Sequence, residues 1–257
     1  YYGKTEYNND DDFDGLWGIW DKPFLNYTSD VLSKKQEPFM ATLITLSSHS
    51  PYKVPEAYKG KFPKGNVPIH KCVGYTDEAL KEFFKKASKE DWYENTIFVI
   101  TADHCNQIYY DEYVKMVNRF AVPILIFKPK NKIVGKDYSL AQQIDIYPTI
   151  MDMVGYNKPF MSWGRSLVGD DLQEPYAITH NGSTFQFMNK GLICSMDDKN
   201  ILGYYDIEDK GLKNNLKENT TKEMEVLGQK AKGFVQDYMN RIIDNKLSAT
   251  PIRQLNN

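Results

Sequence analysis

The amino-acid sequence predicts an α/β protein with a three-layer core around a mostly parallel sheet, followed by a small antiparallel α+β subdomain. In the first part of the chain, unbroken β-branched and aromatic runs alternate with amphipathic helical segments, which is typical of a sheet covered by helices on both faces. In the last part, short strand-like runs are separated by turn residues, which indicates an antiparallel meander. We place the core at residues 1–168 and the subdomain at 169–257.

The first elements of the predicted core are a helix and a strand. Asp21 stands where a helix cap would, and the apolar residues after it repeat at helical spacing, so a helix is predicted over about 22–35. The run Phe39–Leu46, F-M-A-T-L-I-T-L, predicts the first strand, and His49 follows its carboxyl end. A histidine at such a position is either a hydrogen-bonded polar residue or a catalytic one, and the strand alone does not decide between them.

A second helix leads into the central strand of the predicted sheet. After a loop over 53–69, Asp77 precedes apolar residues at helical spacing, which predicts a helix over roughly 72–90. The run Thr96–Ile100 has no polar break and predicts a strand that is buried on both faces. The order strand, helix, strand favours parallel neighbours that are joined by a right-handed crossover.

The central strand ends on T-A-D-H-C, in which Asp103 and His104 are adjacent. Ligands of open α/β sheets collect outside the carboxyl ends of the strands. One carboxylate oxygen and one imidazole nitrogen form a donor set that suits zinc or manganese. The alternative is that Asp103 caps the next segment and His104 is a partly buried polar residue, because two ligands alone do not make a site.

The remaining elements complete the core and form the subdomain. Val122–Phe127 predicts a further strand, and a helix is predicted between Ser139 and Gly155 with a kink or interruption at Pro148. The subdomain is predicted to contain short strands at Tyr176–Thr179, Thr184–Met188, Leu192–Met196 and Ile201–Tyr205, followed by a long amphipathic helix over about 222–246.

Charge and cysteine content exclude some classes of function and leave others open. The net charge of −2 gives no electrostatic basis for binding nucleic acid. Cys72, Cys105 and Cys194 are too few for a disulfide framework and allow at most one bridge. No run approaches the roughly 20 apolar residues of a transmembrane helix, so we expect any membrane association to come from a region outside this chain.

Several segments together resemble the sulfatase and alkaline phosphatase superfamily. T-A-D-H-C at 101–105 resembles its T-A-D-H-G signature, and D-I-Y-P-T-I-M-D-M-V-G at 145–155 resembles its D-L-x-P-T-L-L-D-L-A-G segment, with G-R-S-L at 164–167 similar to the G-x-S-L that follows. W-D-K-P-F-L at 20–25, L-I-T-L-S-S-H-S-P-Y at 43–52 and Y-T-D-E-A-L-K-E-F-F at 75–84 resemble the lipoteichoic acid synthase branch, whose members are membrane-anchored phosphoglycerol transferases.

The resemblance implies a metal-dependent phosphoglycerol transferase-like enzyme. It implies that Asp103 and His104 are metal ligands and that His49 contacts the substrate phosphate. The implied metal is manganese in the first place, with zinc, magnesium or calcium as alternatives. The implied substrate is of the phospholipid or glycerophosphate type, or else a sulfate ester, at the extracytoplasmic face of a bacterial membrane or cell envelope.

The chain departs from the family pattern before W-D-K-P-F-L. In the family, the segment before this motif contains the threonine or serine nucleophile, an acidic metal ligand and an H-x-D…W-x-R stretch. The residues that precede Trp20 match none of these three features. We therefore expect the nucleophile upstream of Tyr1 and expect this chain alone to be inactive. Thr28 and Thr76 are predicted to cap helix starts. Cys105 replaces the usual glycine, and its thiol is either a metal contact or a buried bystander.

Two other functions remain open from the sequence. A sulfatase would need a C/S-x-P-x-R signature, which is absent here and could lie only upstream. A non-catalytic module would bind a glycan or a lipid headgroup through the core and the meander. Trp17, Trp20 and Trp163 are expected to pack in the core, with stacking on a glycerol or a sugar as the alternative.

Overall fold

The computed structural model of the chain describes residues 1–131, 134–169, 172–209 and 211–248. The helices of eight or more residues are α1 Asp21–Leu32, α2 His70–Ala87, α3 Ile146–Met153 and α4 Lys222–Ile243, and shorter helices span Lys4–Tyr7 and Met116–Arg119. The strands are β1 Phe98–Thr101, β2 Ile124–Phe127, β3 Tyr176–His180, β4 Phe185–Asn189, β5 Leu192–Met196 and β6 Ile201–Asp206. No helix in the described ranges is long and apolar enough to cross a lipid bilayer.

The strands form two sheets. β1 pairs with β2, and β3 to β6 form a four-stranded antiparallel sheet in chain order. Cys194 lies opposite Phe187 on one side and Tyr204 on the other, which fixes the register of the meander. The predicted meander is confirmed. The larger, mostly parallel sheet is not seen in the part of the chain that the structure describes.

The predicted strand Phe39–Leu46 is wrong as a paired strand. Phe39 and Leu43 pack against the core of α1 and α2, but within the described residues the run belongs to no sheet. Met40 and Ile44 are 77% and 73% exposed. An apolar run becomes a strand only where a neighbour supplies backbone donors and acceptors, and no described segment does so. β1 likewise is only half-buried, not buried on both faces.

Two predicted helix details also need correction. α3 begins at Ile146, so Pro148 lies in its first turn, where a missing N–H breaks no helical hydrogen bond, and it neither kinks nor interrupts the helix. Thr28 and Thr76 do not cap helices. Thr28 donates to the carbonyl of Phe24 inside α1, and Thr76 donates to the carboxylate of Asp21.

The chain folds as two compact units. The first comprises Tyr1–Ile100 and Leu125–Val134, and the second comprises Thr101–Ile124 and Gly135–Asn257. These units differ from the division after residue 168 that the sequence suggests, and that division stays a prediction.

Each unit has its own core. In the first unit α1 packs on α2, with a buried cluster of Leu25, Ala79, Phe83, Ala87 and Trp92. In the second unit α4 covers one face of the meander, and the buried side chains there are Phe187, Cys194, Met196, Tyr204, Met224, Leu227 and Ala231. The other face buries Val117, Ala177, Met188 and Ile193. Residues 187 and 188 therefore point to opposite faces, as the alternation of a strand requires.

Candidate functional site

Asp103 and His104 lie just beyond the carboxyl end of β1, where the sequence predicts them. The Oδ1 atom of Asp103 accepts a hydrogen bond of 2.9 Å from the backbone N–H of His104, and its Oδ2 atom lies 3.4 Å from Nε2 of His104. The side chains of Asp103 and His104 are 86% and 53% exposed. Both groups are therefore open to solvent, and His104 is not the partly buried residue of the alternative interpretation.

The hydrogen bonding of His104 leaves two acceptors facing each other. Its Nδ1 atom lies 2.7 Å from the carbonyl oxygen of Cys105, and because a carbonyl can only accept, Nδ1 carries the hydrogen. In the neutral ring Nε2 is then an acceptor opposite the Asp103 carboxylate, so a proton or a cation between them is favourable. Metal bonds of about 2.0–2.2 Å place two ligand atoms of one ion roughly 3.0–3.5 Å apart. The donor set and its spacing fit a divalent cation.

The pair offers only two donor side chains to a metal ion. In the described ranges, no group of three or more His, Cys, Asp or Glu side chains is placed to hold an ion. The Cys105 thiol donates to the carbonyl of Ala121 at 2.9 Å, and burial raises its pKa. Both features favour a neutral thiol over a thiolate ligand. All three cysteines of the chain are free.

A glutamine that the sequence analysis missed supports the backbone of the pair. The Nε2 atom of Gln143 donates to the carbonyls of Ala102 and Asp103 at 2.6 and 2.8 Å. Gln143 begins the short 3₁₀ turn Gln143–Asp145 that leads into α3. The only sequence signal is its position, two residues before the D-I-Y-P-T segment.

Asp145 links the two motif segments of the second unit. Its carboxylate is fully buried and accepts from the backbone N–H groups of Arg165 and Gln142 at 2.9 and 3.0 Å. Burial raises the pKa of Asp145, although both hydrogen bonds oppose that shift. Arg165 is 4% exposed and donates from Nη2 to the carbonyl of Leu140 at 2.8 Å. These motif residues therefore act as a scaffold for the turn that carries Gln143.

His49 lies in the first unit and is exposed, with an aromatic side chain against it. Its ring centroid lies 3.7 Å from the ring centroid of Trp17, and the Trp17 indole N–H donates to the carbonyl of Ser50 at 2.6 Å. Trp17 is 46% exposed, so the expectation that it packs in the core is wrong. Nδ1 of His49 lies 3.2 Å from the hydroxyl of Ser50.

The loop that carries Trp17 is fixed by one carboxylate. Oδ1 of Asp14 accepts from the backbone N–H groups of Leu16, Trp17 and Gly18 at 2.8, 2.7 and 3.1 Å. Gly15 has a φ of +85°, a conformation that favours glycine. A pocket of about 230 Å³ is lined by Asp14, Gly15, Leu16, Trp17, Trp20, Leu46, Ser47, His49, Pro51 and Lys53.

Asp21 fixes the backbone that precedes His49. It is 2% exposed, and its carboxylate accepts from the N–H groups of Leu46 and Ser47 at 2.9 and 3.0 Å and from the Thr76 hydroxyl at 2.7 Å. The Ser47 hydroxyl in turn accepts from the N–H of Asp21 at 2.9 Å. The sequence predicts Asp21 only as a helix cap, and this prediction is wrong, because the Asp21 side chain caps nothing in α1.

The three predicted site residues are divided between the units, with His49 in the first and Asp103 and His104 in the second. That they serve one site therefore stays a prediction.

Comparisons with known proteins match the chain to one family and one fold. A family model described as Sulfatase matches residues 1–156. The lipoteichoic acid synthase-like protein YvgJ of Bacillus subtilis is 28% identical over 188 residues, which cover 65% of this chain and 30% of that protein. The lipoteichoic acid synthase of Staphylococcus saprophyticus is 29% identical over 189 residues, which cover 66% of this chain and 29% of that protein.

Solved structures give a consistent result. A protein in the alkaline phosphatase superfamily from Vibrio parahaemolyticus matches with a TM-score of 0.79 and 26% identity, over 96% of this chain and 60% of that one. The lipoteichoic acid synthase LtaP from Listeria monocytogenes matches with a TM-score of 0.69 and 16% identity, over 94% of this chain and 63% of that one. The chain thus spans about 30% of the length of the curated relatives that it matches.

Proposed function

The chain belongs to the sulfatase family and has the fold of the alkaline phosphatase superfamily, and from this premise we propose that it is the C-terminal portion of a metal-dependent phosphoglycerol transferase-like enzyme. The observation that carries the proposal is the Asp103 and His104 pair, whose two acceptor atoms face each other at 3.4 Å within a T-A-D-H sequence. The relatives that are named as lipoteichoic acid synthases favour the transferase over other members of the family.

In the proposed site Asp103 and His104 hold the cation, with manganese as the first choice and zinc, magnesium or calcium as alternatives. When bound, a divalent cation supplies Lewis acidity that activates a hydroxyl nucleophile and neutralises charge on phosphoryl oxygens. The Nδ1–H of His104 stays bonded to the Cys105 carbonyl, which keeps Nε2 free to bind the metal. The hydroxyl nucleophile would come from a segment outside this chain.

His49 would donate a hydrogen bond to a phosphate oxygen of the substrate. An imidazolium at this position makes a charge-assisted bond, which is stronger than a neutral one. Trp17 limits the motion of the His49 ring, and the hydrogen bonds of Asp21 limit the motion of the backbone before it. Substrate binding therefore costs little further conformational entropy at His49. Lys53 is also among the residues that line the pocket, and its positive charge favours an anionic ester.

The proposed substrate is a phospholipid or a glycerophosphate-type ester at the extracytoplasmic face of a bacterial membrane. Membrane association would come from a region outside this chain. A second candidate is a sulfatase, which the name of the matching family favours, although the C/S-x-P-x-R signature is absent from these 257 residues. The complete protein, assayed with a glycerophospholipid and with an aryl sulfate, would separate the two activities.

The metal pair is tested on the 257-residue chain by titration with Mn²⁺. We expect weak binding that is lost in Asp103→Ala, because a two-ligand site depends on solvent to complete the coordination shell. Asp111→Ala is the matched control, since Asp111 lies in the same compact unit outside the pair. If Asp103→Ala and the wild type bind Mn²⁺ equally well, and also bind a glycan or a lipid headgroup with equal affinity, the non-catalytic binding module is favoured instead.

A further inference from the structure

Gln143 joins the turn before α3 to both peptide groups that flank Asp103. Its single amide nitrogen donates to the carbonyl of Ala102 at 2.6 Å and to that of Asp103 at 2.8 Å. An amide nitrogen has two hydrogens, so each carbonyl can receive its own bond. Because the two peptide planes on either side of a residue define its φ and ψ, these two bonds fix the direction in which the Asp103 side chain leaves the backbone.

The turn that carries Gln143 is held by hydrogen bonds to a buried carboxylate. Asp145 is fully buried, and its two carboxylate oxygens accept from the N–H groups of Gln142 and Arg165. The hydroxyl of Thr149 adds a bond of 2.6 Å to the carbonyl of Asp145. Leaving a buried carboxylate without its hydrogen-bond donors costs free energy. This cost favours a single conformation of the turn, and the backbone position of Gln143 is fixed as a result.

The Asp103 side chain has few other restraints. It is 86% exposed, and its hydrogen bond comes from the N–H of the adjacent His104. A local bond of this kind moves with the backbone and does not anchor it. The backbone itself must therefore be held from outside the 102–104 segment, and Gln143 supplies that contact.

We propose that Gln143 is a positioning residue that keeps Asp103 and His104 within reach of one cation. This inference rests on the proposed function, because it requires that the pair binds a metal. Without the two donated bonds the 102–103 backbone gains conformational freedom, which metal binding must then remove. Loss of outer-shell partners of metal ligands typically weakens metal binding by about 10–100-fold.

The neighbouring Gln142 provides a matched control. Its Nε2 donates to the carbonyl of Tyr176 at 3.2 Å, and its Oε1 accepts from the N–H of Ile178 at 3.2 Å, so both bonds go to β3. Gln142 and Gln143 therefore have the same side chain and adjacent positions but different partners. A general loosening of the turn affects both, whereas a positioning role belongs to Gln143 alone.

The test compares Gln143→Met and Gln142→Met in the full chain, since methionine keeps the length and removes the donors. Mn²⁺ is titrated while the paramagnetic broadening of the His104 imidazole protons is recorded, which also measures weak binding. We expect Gln143→Met to bind Mn²⁺ about 10-fold more weakly with little change in the thermal unfolding midpoint. Gln142→Met should lower the midpoint and leave the Mn²⁺ dissociation constant unchanged. Gln143→Ala should repeat the first result.

Two results would refute the positioning role of Gln143, and a third would refute the proposed metal pair. Equal dissociation constants for Gln143→Met and the wild type would refute the positioning role. Equal weakening by Gln142→Met and Gln143→Met would also refute it, because the effect would then be general. A wild-type chain in which Mn²⁺ broadens no His104 resonance would refute the proposed metal pair itself.

Discussion

The indole ring of Trp17 lies against the imidazole ring of His49, with the two centroids 3.7 Å apart and the planes tilted by 43°. The two residues come from different segments, which meet again where the Trp17 N–H donates to the Ser50 carbonyl. The histidine that is predicted to contact phosphate is thus covered on one side by an aromatic ring, and its freedom to change rotamer is reduced.

Trp17→Ala should release the His49 ring. An aromatic ring at 3.7 Å shifts the imidazole C–H resonances of His49 by its ring current, so we expect these resonances to move towards their values in an unstructured peptide. The free energy of unfolding should fall by only about 1 kcal/mol, because Trp17 is 46% exposed and loses one hydrogen bond. Leu16→Ala, in the same loop, should leave the resonances in place. Unstructured values in the wild type would show that the rings do not stack in solution.

Asp21→Ala should destabilise the first unit strongly. The change removes the acceptor of the Leu46 and Ser47 N–H groups and of the Thr76 hydroxyl, and each unsatisfied buried donor costs about 1–3 kcal/mol. We expect a loss of roughly 3 kcal/mol in the free energy of unfolding, measured by urea titration. Thr76→Val removes one of these bonds and should cost about 1 kcal/mol. Equal effects of the two substitutions would contradict the role of Asp21 at the 46–47 backbone.

The sequence predicts the elements whose stabilising partners are near in the chain. α1, α2 and α4 follow from apolar residues at helical spacing, and the meander follows from turn residues between short apolar runs. The Asp103 and His104 pair can likewise be recognised from the sequence, because the two residues are adjacent in the chain. Phe39–Leu46 fails because a strand needs a neighbour, and a local pattern contains no information on whether one is present.

The residues that support the backbone near His49 and near Asp103 could not be predicted. Asp21 bonds to backbone groups 25 and 26 residues away, and Gln143 bonds to groups 41 and 40 residues away. Neither residue type nor local spacing indicates such partners, since an aspartate before a helix is commonly a cap and a glutamine is commonly exposed. Only the folded chain brings the donors and acceptors together.

Glu174→Gln should change the pH dependence of stability. Lys190 and Lys230 both donate to the Glu174 carboxylate, and their hydrogen bonds lower its pKa from 4.5 to about 2. A carboxyl group with a lowered folded-state pKa stabilises the fold above its unfolded pKa and loses this contribution as the pH falls towards the folded value.

The wild type should therefore exceed Glu174→Gln in free energy of unfolding at neutral pH, and the difference should vanish between about pH 4.5 and pH 2. The carboxylate is 37% exposed, so solvent screening limits the difference to roughly 1 kcal/mol, less in about 0.5 M salt. Glu208→Gln is the control, because Glu208 forms no ion pair within the described ranges. A difference that grows on acidification would contradict the ion-pair assignment.

Two glycines of α4 should respond to alanine in opposite directions. A Cβ on Gly233 meets no atom within 4 Å, so Gly233→Ala should raise the free energy of unfolding by about 0.5–1 kcal/mol through the higher helix propensity of alanine. A Cβ on Gly228 would lie 2.5 Å from the Tyr204 hydroxyl and 2.6 Å from Cδ1 of Ile201. Tyr204 is 4% exposed and has little room to move, so overpacking of about 1–3 kcal/mol should exceed the propensity gain. Urea titration of both variants measures the change in the free energy of unfolding, which should be positive for Gly233→Ala and negative for Gly228→Ala. Stabilisation by Gly228→Ala would show that α4 does not pack this closely on β6.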